Sequence, residues 1–165
     1  MTTPDVKFRI LNPRLAAVLA ELRHGELIYI GDAGSGTAPK ALMPLDPAVE
    51  IIDLAVATGI PSFQDVTGAI IECGDIEAAI VTEDMKAAAP EQRAWLESKL
   101  GSENVHEMPY VPNYYELRDR CKVFIQTGDY GVHCQAVLIG GYPSANIPIS
   151  FYTHNVPLGS EAGED

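Results

Sequence analysis

The chain has 165 residues, and its 23 acidic residues outnumber its 11 basic ones to give a formal net charge of −12. Such a charge argues against nucleic acid or an anionic membrane surface as the main partner, and it agrees better with a small neutral ligand. The length suits one domain with enough residues to bury a real core.

The three cysteines, Cys73, Cys121 and Cys134, are widely spaced and odd in number. The sequence therefore indicates neither a disulfide framework nor a zinc site built on paired thiolates. The first residues contain no apolar signal core, and no later apolar run approaches the roughly eighteen residues that a membrane span needs. We expect a soluble protein of a reducing cytoplasm, without a membrane partner.

The first predicted elements are a helix and a strand joined by a tight turn. Asn12 before Pro13 is a favourable helix start, because asparagine caps free amides and proline fits the first turn. A stripe of leucine and valine at helical spacing continues to His24-Gly25, where glycine suits the left-handed position past a helix end. A short apolar run then predicts a buried strand, and Asp32 follows it in a glycine-rich loop.

His24 and Asp32 are the first candidates for chemistry because they flank this strand. A parallel neighbour can bring the end of a second strand close to the Asp32 carboxylate, and in open α/β sheets ligands bind at that edge. The loop at residues 34–39 lacks the lysine and hydroxyl of a phosphate-binding loop, so it is interpreted as a connection and not as a nucleotide site.

The middle of the chain continues the alternation of helices and strands. Asp46-Pro47 repeats the combination of cap and proline, and it predicts a helix that ends at Gly59. Residues 60–66 are predicted to form a turn and an extended segment. Residues 69–71 and 78–81 are predicted to be buried strands.

The second half predicts two helices, from Pro90 to Leu100 and over residues 113–121, and two strands at residues 123–126 and 136–139. A short, polar, glycine-bearing connection joins these strands, as in a hairpin or a site loop. The alternation of elements predicts a single α/β domain over residues 1–150.

After Gly140 a proline-containing segment is expected to dock on a neighbouring surface. Residues 151–165 are expected to form a C-terminal tail, with the small and acidic residues 159–165 disordered. Several aromatic residues are expected to pack in the core, although one of them can stack on a ligand: Tyr29, Phe63, Tyr114 and Tyr130.

The order of motifs resembles the D-ribose pyranase and L-fucose mutarotase family of sugar-ring isomerases. Five motifs carry the resemblance and stand in the family's order between about residues 12 and 140: His24-Gly25, Gly31-Asp32-Ala33-Gly34, Ile60-Pro61-Ser62-Phe63, Tyr114-Tyr115-Glu116 and Ile125-Gln126-Thr127-Gly128-Asp129. No single motif is specific, since Asp-Ala-Gly alone occurs widely. The five in register make coincidence a poor explanation.

This resemblance implies a fold, an assembly and a site. The fold is a compact α/β domain, a three-layer sandwich around a central, mostly parallel sheet. The assembly is a homo-oligomeric ring that commonly pairs into a decamer, with a site formed partly by an adjacent subunit. The site holds a monosaccharide without metal or cofactor. In that family the histidine matching His24 is the proton donor, and the aspartate matching Asp32 contacts the sugar.

The late loop departs from the family. His133-Cys134-Gln135 stands where the family has a tyrosine, a small residue and an asparagine, and we expect these three residues to contact the substrate. A basic substrate contact of the family aligns with Val111. Specificity for ribose or fucose therefore does not carry over. The chemistry itself needs few groups, because opening a cyclic hemiacetal requires only that one group accept the anomeric hydroxyl proton while another protonates the ring oxygen.

Each candidate also has a purely structural interpretation. By itself, His24 is better explained as a helix-end cap, and Asp32 as a cap of the next segment; the spacing shared with the family favours catalysis. His133 is equally consistent with a strand-end surface residue. Cys134, as its neighbour on a strand, should point to the opposite face, which weakens a thiol nucleophile.

Two other functional classes stay open. A metal enzyme would have to use some of His24, Asp32, His106, His133 and Cys134, but no two-histidine helix spacing or Cys-x-x-Cys pair supports it. A non-catalytic sugar-binding or assembly protein of the same fold, or an isomerase with a shifted substrate, is harder to exclude. His106 and His154 have weaker claims to any site.

Overall fold

The computed structural model describes residues 5–142, 148–153 and 156. In this part of the chain six strands form one sheet: β1 Leu27–Gly31, β2 Glu50–Asp53, β3 Ile76–Thr82, β4 Val105–Met108, β5 Val123–Gln126 and β6 Ala136–Gly140. The α-helices are α1 Pro13–Glu21, α2 Phe63–Cys73, α3 Met85–Ala88, α4 Pro90–Leu100, α5 Tyr115–Arg118 and α6 Ile149–Tyr152. A 3-10 turn occupies Ser102–Asn104, and an irregular π turn occupies Tyr110–Tyr114.

The strands lie in the order β2-β5-β1-β6-β3-β4. Strand β1 pairs in parallel with β5, β5 in parallel with β2, and β3 in parallel with β4. Only β6 among these strands runs antiparallel to its neighbours, β1 and β3. The predicted central, mostly parallel sheet is confirmed.

The sheet separates two hydrophobic clusters, one on each face. Along β1, Ile28 and Ile30 join the first cluster with residues of α1, α2 and α4. Leu27 and Tyr29 alternate with them and join the second cluster with residues of α5 and α6. Because both faces are covered, β1 is buried along its whole length. The predicted three-layer α/β sandwich is confirmed.

The helix predicted after Asp46-Pro47 is wrong. The Asp46 carboxylate accepts a hydrogen bond of 2.8 Å from the Ala48 amide and closes a local turn, which is the common alternative to helix capping. Ile51 and Ile52 then extend in β2, where they pair with β5. Their β-branched side chains suit a strand better than a helix.

The extended segment and strand predicted at residues 60–71 are also wrong from Phe63 onward, because α2 occupies this region. The Ser62 hydroxyl accepts from the Asp65 amide at 3.1 Å, and the Asp65 carboxylate accepts from the Ser62 amide at 3.0 Å. This reciprocal capping box begins the helix. Its buried residue Ile70 packs against the sheet, so tertiary burial outweighs the strand preference of an apolar β-branched run.

Several other elements differ from the predicted ones in length or connection. The connection from β5 to β6 is not a hairpin, since β1 lies between the two strands. The helix predicted over 113–121 is shorter, and β4 was not predicted. Beyond β6, Tyr152 and Val156 are buried in the second cluster, so the chain docks on its own domain there. The predicted disordered end, 159–165, lies outside the described residues.

Two further predictions concern cysteines and membranes. All three cysteines are free thiols, with Cys73 exposed and Cys121 and Cys134 buried. No helix within the described ranges has the length and apolar character that a membrane crossing requires.

The capping box gives a test of the corrected assignment of α2. We expect Ser62→Ala to lower the free energy of unfolding by about 1 kcal/mol, because the Asp65 amide in the first turn of the helix loses its acceptor. Denaturant unfolding at a fixed protein concentration measures the difference. The exposed Ser102→Ala serves as the matched control, and equal stability of both variants would contradict the role of Ser62.

Candidate active site

The two leading candidates lie at opposite ends of β1. His24 precedes Leu27, and Asp32 directly follows Gly31. A strand rises about 3.3 Å per residue, so the five residues of β1 alone separate the two side chains by roughly 15 Å. One chain therefore holds two half-sites, each with its own surroundings.

The carboxyl ends of β1 and β5 meet beside Asp32. The Gln126 side-chain amide donates to the Asp32 backbone carbonyl, and the Ala33 amide donates to the Asp129 carbonyl at 2.7 Å. The prediction that a parallel neighbour brings its end to this carboxylate is therefore confirmed. It is the edge at which open α/β sheets bind ligands.

The Asp32 carboxylate lies in a partly buried turn. It accepts hydrogen bonds from the Gly34 amide at 3.0 Å and the Ser35 hydroxyl at 3.1 Å. Burial raises the pKa of Asp32 above its usual value, although these two hydrogen bonds and the nearby His133 imidazole oppose the increase. Asp32 thus caps the loop that follows it, which agrees with its purely structural interpretation. It also lines a cavity.

This cavity has a volume of about 200 Å³. Its lining combines a carboxylate, an imidazole, an amide and two phenols with a short stretch of backbone: Asp32, Gly34, Tyr110, Tyr130, Gly131, Val132, His133 and Gln135. A small number of convergent polar groups between aromatic walls is typical of a site for a small ligand. We call it the Asp32 cavity.

The structure fixes His133 in this lining. Its backbone has φ = 59°, a left-handed conformation that is uncommon for residues other than glycine. Its Nδ1 is hydrogen-bonded to Oγ1 of the buried Thr82 at 3.0 Å, and its ring meets Tyr110 edge-on with centroids 4.9 Å apart. The end of β3 therefore orients the imidazole toward the cavity.

A buried tyrosine of the core hydrogen-bonds the side chain of Gln135. The Tyr29 hydroxyl donates to Gln135 Oε1 at 2.8 Å, and the Tyr29 ring stacks on Phe124 at 4.9 Å. Tyr29, together with Phe63 and Tyr114, is a packing residue as predicted. Gln135 therefore presents a preoriented amide to the cavity.

Cys134 does not belong to the cavity, although it was predicted to contact the substrate. Its side chain is buried in the first hydrophobic cluster and is absent from the lining of the cavity. Burial raises the pKa of the Cys134 thiol to about 12. A thiol with this pKa is protonated near neutral pH and is a poor nucleophile.

Two tyrosines line the cavity, and of these the sequence analysis named only Tyr130, as a packing residue that can also stack on a ligand. Tyr110 follows a proline in a turn without helical or strand periodicity, so no pattern singled it out; its hydroxyl lies 2.6 Å from that of Tyr115. Tyr130, predicted as a packing residue, is 65% exposed at the cavity. Val111, where the family's basic contact aligns, is exposed and does not line the cavity.

The other half-site surrounds His24. The Nε2 atom of His24 lies 3.0 Å from Glu77 Oε1 and 3.0 Å from the Tyr152 hydroxyl. Glu77 is buried near the start of β3. The imidazole stacks on Tyr142 with centroids 5.5 Å apart, and a Cβ added at Gly141 would overlap the ring.

These contacts bear on the helix-cap interpretation of His24. Its ring is not engaged as a cap of α1, since its hydrogen-bond partners come from β3 and α6. A carboxylate hydrogen-bonded to one imidazole nitrogen fixes the tautomer and the orientation of the ring. Glu77 and Tyr152 were not predicted, because neither stands in a motif near His24 in the sequence.

The other histidines have different positions. His106 lies on β4 in neither half-site, and burial lowers its pKa. His154 lies outside the described residues. Within residues 5–142, 148–153 and 156, no group of three or more histidine, cysteine or acidic side chains is arranged to hold a metal ion.

Comparison with known proteins supports the resemblance seen in the sequence. The model of the RbsD / FucU transport protein family matches residues 6–141. The chain belongs to this family. A D-ribose pyranase of Bacillus velezensis is 30% identical over 135 residues, which is 82% of this chain and 96% of that protein. A D-ribose pyranase of Pseudomonas putida (strain GB-1) has the same identity and coverage.

Solved structures agree with this family membership. The structure of Bacillus subtilis RbsD complexed with D-ribose superposes with a TM-score of 0.73 at 29% identity, and the match covers 84% of this chain and 99% of that one. A fucose mutarotase from Streptococcus pneumoniae in complex with L-fucose superposes with a TM-score of 0.61 at 16% identity, covering 81% and 95%. The second likeness shows the fold.

The raised pKa of Asp32 gives a test of its burial. The folded state holds the Asp32 proton more tightly than the unfolded chain does, so this contribution to stability is present below the unfolded pKa near 3.8 and is lost as pH rises through the folded pKa. We therefore expect Asp32→Asn to be more stable than the native protein at pH 7, with the difference vanishing toward pH 3.

Denaturant unfolding across this pH range measures the effect. Asp46→Asn is the matched control, since the Asp46 carboxylate accepts an amide hydrogen bond in an exposed turn. A native-like or lower stability of Asp32→Asn at pH 7 would show that the carboxylate is not penalised by burial.

Proposed function

We propose that the protein interconverts the cyclic forms of a monosaccharide by acid–base ring opening, as a cytoplasmic pyranase or mutarotase. Its relatives are named D-ribose pyranase, and the similar Bacillus subtilis structure contains D-ribose. The observation that carries the proposal is the contact between His24 and the buried Glu77 carboxylate. It gives an imidazole that can both donate and accept a proton.

The reaction needs proton transfer and no net gain or loss of atoms. The anomeric hydroxyl gives its proton to the unprotonated nitrogen of the His24 imidazole and becomes the carbonyl as the bond from the anomeric carbon to the ring oxygen breaks. The ring oxygen takes up a proton, which we assign to His24 as donor. Closure on either carbonyl face, or through another hydroxyl, gives the new ring form. No metal or redox cofactor is required for these steps.

We assign substrate binding to the Asp32 cavity. Asp32 accepts hydrogen bonds from sugar hydroxyls, and His133 and Gln135 supply an imidazole and an amide at the same wall. Tyr110 and Tyr130 offer aromatic faces for the apolar side of a sugar ring. This lining differs from the family's tyrosine and asparagine, so the preferred sugar need not be ribose or fucose.

The separation of the half-sites requires a second subunit. No sugar can touch both ends of β1, so we propose that His24 of one subunit completes the Asp32 cavity of the next. Exposed apolar side chains support this arrangement, since Tyr130 and Val132 are 65% and 67% exposed at the cavity and Tyr142 and Phe151 are 70% and 71% exposed near His24. A contact between two different surfaces of identical subunits forms a ring when the rotation between neighbouring subunits closes.

The first test is the loss of the proton donor. We expect His24→Ala to reduce exchange between ring forms by about 10²–10⁴-fold, the usual contribution of a positioned acid–base group. Saturation-transfer NMR over a panel of aldoses and ketoses measures the exchange. His106→Ala is the control because His106 lies in neither half-site.

Sugar binding separates the alternatives. A His24→Ala protein that binds the same sugar in the same oligomer but no longer exchanges it supports catalysis. A native protein that binds sugar and never accelerates exchange would instead be a binding protein of the same fold. Full exchange activity in His24→Ala would refute the assigned donor.

The second test is complementation between subunits. His24→Ala and Asp32→Asn are each expected to be inactive, but oligomers assembled from an equal mixture should recover about a quarter of the native activity, because one in four neighbouring pairs combines an intact His24 with an intact Asp32. The mixture is made by unfolding and refolding together. Activity no higher than that of the separately refolded variants would contradict a shared site.

A further inference from the structure

The chain extends beyond the region that its family shares. The family match ends at residue 141, and the D-ribose pyranase of Bacillus velezensis is matched over 96% of its length by only 82% of this chain. The Bacillus subtilis structure is covered to 99% by 84% of this chain. Helix α6, Ile149–Tyr152, therefore belongs to a segment outside the family match.

This segment packs against the rest of the domain through its buried residues. Tyr152 is 8% exposed, and its ring covers Gly25, where an added Cβ would lie 3.4 Å from Tyr152 Cδ1. Thr153 is fully buried, and its hydroxyl donates to the backbone carbonyls of Ser150 and Val156, at 3.1 and 3.0 Å. The contact of Tyr152 with His24 is thus part of a packed surface.

Three polar atoms meet at this contact. Glu77 Oε1 and the Tyr152 hydroxyl each lie 3.0 Å from His24 Nε2. Burial and a hydrogen bond to Glu77 raise the pKa of Tyr152, so the phenol keeps its proton. Because a carboxylate only accepts, Nε2 carries the proton directed at Glu77, and the phenol oxygen lies within hydrogen-bond distance of the same N–H.

We propose that Tyr152 is a positioning residue for His24, holding Glu77 and the imidazole so that Nε2 faces the protein and Nδ1 exchanges protons with the sugar. Among the described residues, none hydrogen-bonds Nδ1, and the His24 side chain is 30% exposed. The proposal rests on the proposed function and assigns to the C-terminal segment a part of the catalytic machinery that the matched region does not contain.

The test is Tyr152→Phe in the full chain. The variant keeps the ring over Gly25 and removes only the hydroxyl, so the fold should be retained. We expect exchange to fall on the order of tenfold through kcat with an unchanged KM, since one hydrogen bond is lost from the donor and none from the sugar. Ser150→Ala removes a hydroxyl from the same helix and is the control.

The ¹⁵N shifts of the His24 ring supply a readout that does not depend on activity. In the unliganded native protein they should show a protonated Nε2, and in Tyr152→Phe the two nitrogens should move toward each other as the tautomers mix. Native shifts in the variant, or altered shifts with an unchanged exchange rate, would overturn the proposal. If the native protein exchanges no sugar, the proposed function fails, while the shifts still report on the contact.

Discussion

The length of β1 is the constraint on which the site depends. Five buried residues, paired with β5 on one side and β6 on the other, place His24 and Asp32 at opposite edges of the sheet. The strand cannot be shortened or bent without breaking both hydrophobic clusters, since its side chains alternate between them. This separation is the reason for proposing a site shared between subunits, and in that proposal oligomerisation is part of catalysis.

Burial of charge shapes each half-site differently. Glu77 is an almost fully buried carboxylate, and such a group is costly unless it is hydrogen-bonded and paired. Its hydrogen-bond partner is His24, which in turn contacts the Tyr152 hydroxyl. Asp32 accepts hydrogen bonds from a loop amide and a serine hydroxyl and has the His133 imidazole nearby, and burial still raises its pKa. A raised pKa of this kind is typical of a residue retained for binding.

Local signals in the sequence predicted much of the fold. Asn12 caps α1, Gly25 adopts the left-handed conformation with φ = 84°, and a proline begins α4, all as expected. Each of these features depends on only a few neighbouring residues. The errors fell where tertiary structure decides. Ile51 and Ile52 lie in a strand because they pair with β5. Ile70 lies in a helix because the capping box at Ser62 begins one.

The same division holds for the site. His24, Asp32, His133 and Gln135 stood in motifs that could be read along the chain. Tyr110 could not, because its position depends on the turn before α5. Glu77 and Tyr152 lie 53 and 128 residues from His24 in the sequence, and only the packing of β3 and α6 against the end of β1 brings them to its imidazole.

The most direct measurement is a crystal structure of the assembled protein with a bound sugar. A shared site predicts that one sugar in the Asp32 cavity lies within hydrogen-bond reach, about 2.6–3.2 Å, of Asp32 from one subunit and of His24 from its neighbour. A sugar bound in the cavity with His24 of every subunit out of reach would contradict it.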